Sequence, residues 1–174
     1  MTRYVALLRG VNVGGITLKM VDVAAVFTGL GLADVRTVLA SGNVLFDSDD
    51  QPAVLKPRIE EALGERFGYD AWVHVLDLDT IGRIVRDFPF DAEREGWHPY
   101  VIFTSDEAVA KELLALEGSL DSQLESIRRG DGVVYWTVER GSTLGSTFGK
   151  ATGRARYKET TTTRNLRTLQ KLLR

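Results

Sequence analysis

Between Leu8 and Met20 the chain reads Arg9-Gly10-Val11-Asn12-Val13-Gly14-Gly15-Ile16-Thr17-Leu18-Lys19, a stretch with two cations, one amide and no acid. Those residue types suit an oxyanion. A guanidinium brings charge with forked donors, and glycine lets backbone N–H groups approach closely. The spacing is neither the G-x-G-x-x-G of a dinucleotide fold nor the Gly-Lys-Ser/Thr ending of a P-loop. A turn that needs glycine for its backbone alone explains the same string.

Other chemistries find less support. The chain has no cysteine, which excludes thiolate nucleophiles, disulfides and Cys-based zinc sites. Its two histidines, His74 in an expected strand and His98 in an expected connector before Pro99, have no carboxylate at helical ligand spacing, so no metal is expected. No Ser/His/Asp order can be assembled, and no cofactor is implied. The run from Gly141 to Lys150 has a phosphate-loop flavour, but Gly149-Lys150 is followed by Ala151, with Thr152 one place late. Arg129-Gly130-Asp131-Gly132 reads as a hairpin turn.

The elements that must position Arg9 follow from periodicity. An apolar run at 4–9 predicts a buried strand, and spacing over 18–30 predicts a helix stopped by Gly29 and Gly31. Strands are expected at 33–39 and 43–47 around an Ala40-Ser41-Gly42 turn, then a helix from Pro52 to about Phe67 and a strand at 69–76. The order βαββαβ is the ferredoxin-like split βαβ pattern, an antiparallel sheet with both helices on one face. In it the first two strands run parallel, so the loop after one and the hairpin after the other share a sheet end. Arg9, Asn12, Lys19, Ser41 and Asn43 would then meet, with backbone from Gly10, Gly14, Gly15 and Gly42, in a corner without acids from Met1 to Val21.

After a helix at 77–87, a strand at 100–103, a helix capped by Ser105-Asp106-Glu107 and two strands at 123–128 and 133–138 predict a second, incomplete copy. A helix at 143–151 follows. Residues 160–173 read as an amphipathic helix, capped by its threonines, with Leu166, Leu169 and Leu173 on one face. The expected class is α+β: two ferredoxin-like halves, the second incomplete, plus a C-terminal amphipathic helix. The boundaries are 1–77, 78–140 and 141–174, the last a basic loop with helices packing on the rest.

At 174 residues, 44% hydrophobic and 26% charged, the chain can bury a sizeable core. Its net charge of −2 hides an asymmetry. Residues 141–174 carry eight basic side chains against Glu159 alone, or +7, while the first 140 carry 14 basic and 23 acidic, or −9. A basic tail suits an intramolecular clasp or an anionic partner, including a nucleic acid backbone, although Tyr157 is the single aromatic there after Phe148. The N-terminal apolar run is too short for a signal peptide, and no run reaches a membrane span, so a cytoplasmic protein without membrane partners is expected.

Leu7-Leu8-Arg9-Gly10-Val11-Asn12-Val13-Gly14-Gly15, Ser41-Gly42-Asn43-Val44-Leu45-Phe46 and Thr162-Thr163-Arg164-Asn165 together resemble the bacterial family called domain of unknown function 1697. The resemblance implies a compact two-part α/β protein and brings no activity or substrate. It directs attention to Arg9, Asn12, Gly14, Ser41, Gly42, Asn43, Thr163, Arg164 and Asn165. Three readings stay open: a module binding a small anionic ligand or nucleic acid backbone through these motifs; an enzyme in which Arg9 or Arg164 stabilises developing negative charge; and a structural protein whose motifs lock the tail in place.

Overall fold

The computed structural model of the chain describes residues 1–12 and 16–174. The expectations for Gly14 and Gly15 lie outside the described residues. The chain divides into two units, 1–82 with 171–174, and 83–170.

The first unit runs β1 (Thr2–Leu8), α1 (Met20–Gly29), β2 (Ala33–Thr37), β3 (Asn43–Ser48), α2 (Pro52–Phe67) and β4 (Val73–Asp77), followed by α3 (Leu78–Arg86). Its sheet has the order β2-β3-β1-β4 with every pairing antiparallel, the ferredoxin-like arrangement expected. Alternation sends Tyr4, Ala6 and Leu8 of β1 to one face, where they join Phe46, Val23, Phe27, Leu55, Ile59 and Leu63 in one core. Leu55, Ile59 and Leu63 are four residues apart, so α2 presents one apolar stripe. The Phe27 and Phe46 rings lie 5.6 Å apart, and burial of each such ring contributes about 2 kcal/mol. Pro52 opens α2, where its missing N–H costs nothing, and Gly68 closes it in the left-handed region at φ 68°.

The second unit runs β5 (Trp97–Thr104), α4 (Glu107–Leu114), β6 (Glu125–Arg129), β7 (Val133–Glu139), α5 (Thr147–Thr152), β8 (Thr161–Asn165) and the start of α6 (Leu166–Leu172). Its sheet order, β6-β7-β5-β8, repeats that of the first, and all pairs are again antiparallel. The expectation of an incomplete second half is therefore corrected: the missing strand is β8, made from threonines read as helix caps. β-branched threonines favour a strand as readily as a cap. The long-range ladder from Tyr100↔Asn165 to Thr104↔Thr161 decides the matter, leaving only Leu166–Leu172 helical.

His98 is likewise inside β5, since Pro99 does not end that strand. Pro99 lies beyond the last residue paired with β8, so on that flank the strand has no ladder to supply. Asp106 caps α4 as expected, accepting from Ala108 N–H at 2.8 Å. Around Trp136, Phe148, Ile102, Leu113, Ile127 and Val138 a second core forms. Within it Glu125, 1% exposed, accepts from Trp136 Nε1 at 3.0 Å and from Phe148 N–H at 3.2 Å. Among the described residues no helix is long and apolar enough to cross a membrane.

Ser146 Oγ accepts from Gly149 N–H at 3.0 Å and caps α5, and a Cβ on Gly149 would overlap the Thr143 carbonyl. Gly149→Ala should therefore lower the unfolding free energy by about 2 kcal/mol, read from a urea midpoint. Gly145→Ala, with open space around its site, should leave that midpoint nearly unchanged.

Candidate anion site

The loop after β1 and the β2–β3 hairpin meet at one sheet end, as the topology requires. Two backbone hydrogen bonds carry the ladders of β1 past its end. Leu8 N–H donates to Gly42 O at 2.8 Å, and Arg9 N–H to Trp72 O at 3.0 Å. The Asn12 side chain then ties loop to hairpin: its Nδ2 donates to Ala40 O at 2.7 Å and Leu18 O at 3.0 Å, while its Oδ1 accepts from Leu18 N–H at 2.8 Å. Asn12 reaches this position with φ 58°, a left-handed conformation that asparagine tolerates.

The hairpin is as tightly specified. Asn43 is fully buried, and its Nδ2 donates to Val38 O at 2.8 Å and Ser41 Oγ at 2.9 Å. Gly42 sits at φ 91°, and a Cβ there would lie 2.7 Å from Val11 Cγ2 and 2.9 Å from Leu8 Cβ. Glycine is needed at this point twice over, for conformation and for space. Asn12, Gly42 and Asn43 thus build the corner from within.

Arg9 and Lys19 are differently placed. Arg9 is partly buried, and desolvation lowers its pKa from the usual guanidinium range. Lys19 is exposed at the N-cap of α1, whose side chain supplies no capping bond. Among the described residues, no carboxylate lies within ion-pair distance of either cation. Gly10, at φ 71°, turns the chain directly after Arg9.

Thr163, Arg164 and Asn165 belong to the second unit and form the end of β8, correcting their reading as a helix start. Arg164 is 6% exposed, and its Nη1 donates to Thr162 Oγ1 at 2.7 Å and Thr163 O at 2.9 Å. Asn165 Oδ1 accepts from Arg167 N–H at 2.9 Å and so starts α6. Among the described residues, no group of three His, Cys, Asp or Glu could hold a metal ion.

The motifs that build the corner lie inside a wider match: residues 1–135 fit the family described as protein of unknown function, DUF1697. The chain belongs to that family. The match takes in Arg9, Asn12 and the Ser41–Asn43 hairpin and stops before Thr163. The conserved bacterial protein SP0830 from Streptococcus pneumoniae is similar over 98% of this chain and 96% of its own, with a TM-score of 0.80 and 25% identity. No curated protein matches. This DUF1697 chain thus has a solved counterpart along almost its whole length.

Three residues of this DUF1697 chain have roles that the sequence reading did not assign to them. Leu39, 47% exposed, holds φ 62° in the hairpin, a strained conformation for a branched side chain. No periodicity signals it. Glu125 shares the face of Ile127 in β6, and that alternation was its only signal. Among the described residues His98 Nδ1 is buried without a hydrogen-bond partner, and the pKa of this histidine is lowered from 6.5 by burial first, then by Arg140 and Arg167.

Two outcomes follow. Leu39→Asn, which accepts a left-handed φ more readily, should raise the unfolding free energy by about 1 kcal/mol in a denaturant titration. For His98, the unfolded chain takes up a proton near pH 6.5 that the folded chain resists, so stability is held above pH 6.5 and lost as pH falls below it. Thermal melts from pH 7.5 to about 5.5 should therefore fall more steeply for the native chain than for His98→Gln.

Proposed function

We propose that this DUF1697 protein binds a small phosphorylated ligand at the corner between the β1 exit loop and the β2–β3 hairpin, with Arg9 as the main counter-charge. The observation that carries this reading is a partly buried guanidinium with no carboxylate in ion-pair distance among the described residues. Taking a charge from water without a partner costs free energy that an arriving anion returns. Lys19 adds a second positive charge at the start of α1, where the helix dipole also favours an anion. Asn12, Gly42 and Asn43 hold the backbone around that charge, so little ordering remains to be done when a ligand arrives.

A second reading rests on the same amides. Because Asn12 and Asn43 are committed to backbone and hairpin partners, the corner is a packing joint that needs no ligand. Nucleic acid backbone is the remaining source of the same phosphate chemistry, and it would bring a steep salt dependence.

Thermal shift with inorganic phosphate, a phosphomonoester and a short single-stranded oligonucleotide separates these readings. Ligand binding predicts saturable stabilisation by the monoester that Arg9→Met abolishes, with Arg9→Met itself at least as stable as the native chain in phosphate-free buffer. If Arg9→Met loses stability and no phosphate compound shifts either protein, the corner is a joint. Stabilisation by the oligonucleotide alone would assign the site to nucleic acid.

A further inference from the structure

The second unit carries another set of cations that the Arg9 corner does not use. Strand register sets it out. His98 lies opposite Val138, Tyr100 opposite Trp136 on one side and Asn165 on the other. Residues directly opposed share a face, as do alternate residues along a strand. His98, Tyr100 and Asn165 therefore line one face of this sheet. Arg140, two residues past Val138, continues that face at the sheet end, where its N–H donates to Gly96 O at 2.7 Å and prolongs the ladder.

Glu139, the neighbouring acid, is opposite Trp97 and alternates to the other face. Arg167 stands in the first turn of α6, held by the bond from its N–H to Asn165 Oδ1. Both arginine side chains are in exposed residues and, among the described residues, have no carboxylate within ion-pair distance. Burial first, and then the Arg140 and Arg167 charges, hold the His98 pKa below its usual value. The His98 ring lies 5.6 Å from Tyr100, which stacks on Trp136 at 5.2 Å, so a rigid aromatic floor adjoins the charges.

We propose that Arg140 and Arg167, beside the His98–Tyr100 rings, form a second anion site whose ligand is a phosphomonoester. Two fixed positive charges match the nearly doubly negative phosphate group, where a carboxylate would satisfy only one. Half-buried His98 and Tyr100 line the same face, so the organic part of such an ester would lie against them. The site does not rest on the Arg9 reading, because every residue in it belongs to the second unit.

The chain has two histidines, one in each unit, which makes proton NMR of the imidazoles a direct readout. In a titration with inorganic phosphate and then a phosphomonoester, ionic strength held constant with chloride, the His98 signals should shift and saturate. Arg140→Gln and Arg167→Gln should each weaken that saturation on the order of tenfold, while Arg9→Ala leaves it unchanged. Both arginines are exposed, so these variants keep the fold, and an unchanged circular dichroism spectrum and thermal midpoint check that they do. The proposal is overturned if His98 does not respond, if its shift is linear or equally produced by chloride, or if the double variant saturates like the native chain. A short oligonucleotide that outcompetes the monoester would overturn the ligand assignment.

Discussion

Each unit depends on a central strand that must satisfy hydrogen-bond ladders on both edges at once. β1 lies between β3 and β4, and β5 between β7 and β8. Buried backbone donors cannot be left unpaired without cost, so a central strand dictates where its neighbours begin and end. At the end of β1 consecutive N–H groups go opposite ways, that of Leu8 to Gly42 and that of Arg9 to Trp72. Those two bonds fix the height at which Arg9 leaves the sheet. They also bring the hairpin alongside the loop, and the later contacts of the corner are built on that juxtaposition.

Within the corner, polar groups divide by what they have left to give. The Asn12 amide makes three bonds to backbone, and the Asn43 amide closes its own hairpin. Each such bond contributes about 1 kcal/mol, and removing its partner would orphan a backbone group. These asparagines organise structure around the charge. Arg9 instead bears a desolvation cost with no acid close by among the described residues, which is why the proposed ligand site centres on it and not on the asparagines. The second unit shows the same division. Glu125 is spent on Trp136 and the start of α5, whereas Arg140 and Arg167 remain at the sheet end with exposed charge.

Much of the first unit was legible because its signals are local. The unbroken apolar run of β1, the four-residue spacing of Leu55, Ile59 and Leu63, and the glycines after each helix name their elements within a few residues of chain. The second half was read short by one strand. Thr161 to Thr163 precede an amphipathic run, where a cap and a strand look alike, and the partner that settles the question lies some sixty residues back in β5. His98 was misplaced for a related reason, since Pro99 marks a break unless one strand edge has no ladder to fill.

From the sequence alone came the order of elements in the first unit, the adjacency of Arg9 with Ser41-Gly42-Asn43, and the charge contrast between the tail and the rest. These follow from periodicity, turn chemistry and counting, each of which acts over a few residues or over none. Only the tertiary structure decided that Thr161–Asn165 is a strand, that Asn12 and Asn43 are spent inside the corner while Arg9 has no nearby acid among the described residues, and that Arg140, Arg167 and His98 share one sheet end. Those outcomes depend on which distant residues come opposite one another in a sheet, and register is a property of the folded pair, carried by neither strand on its own.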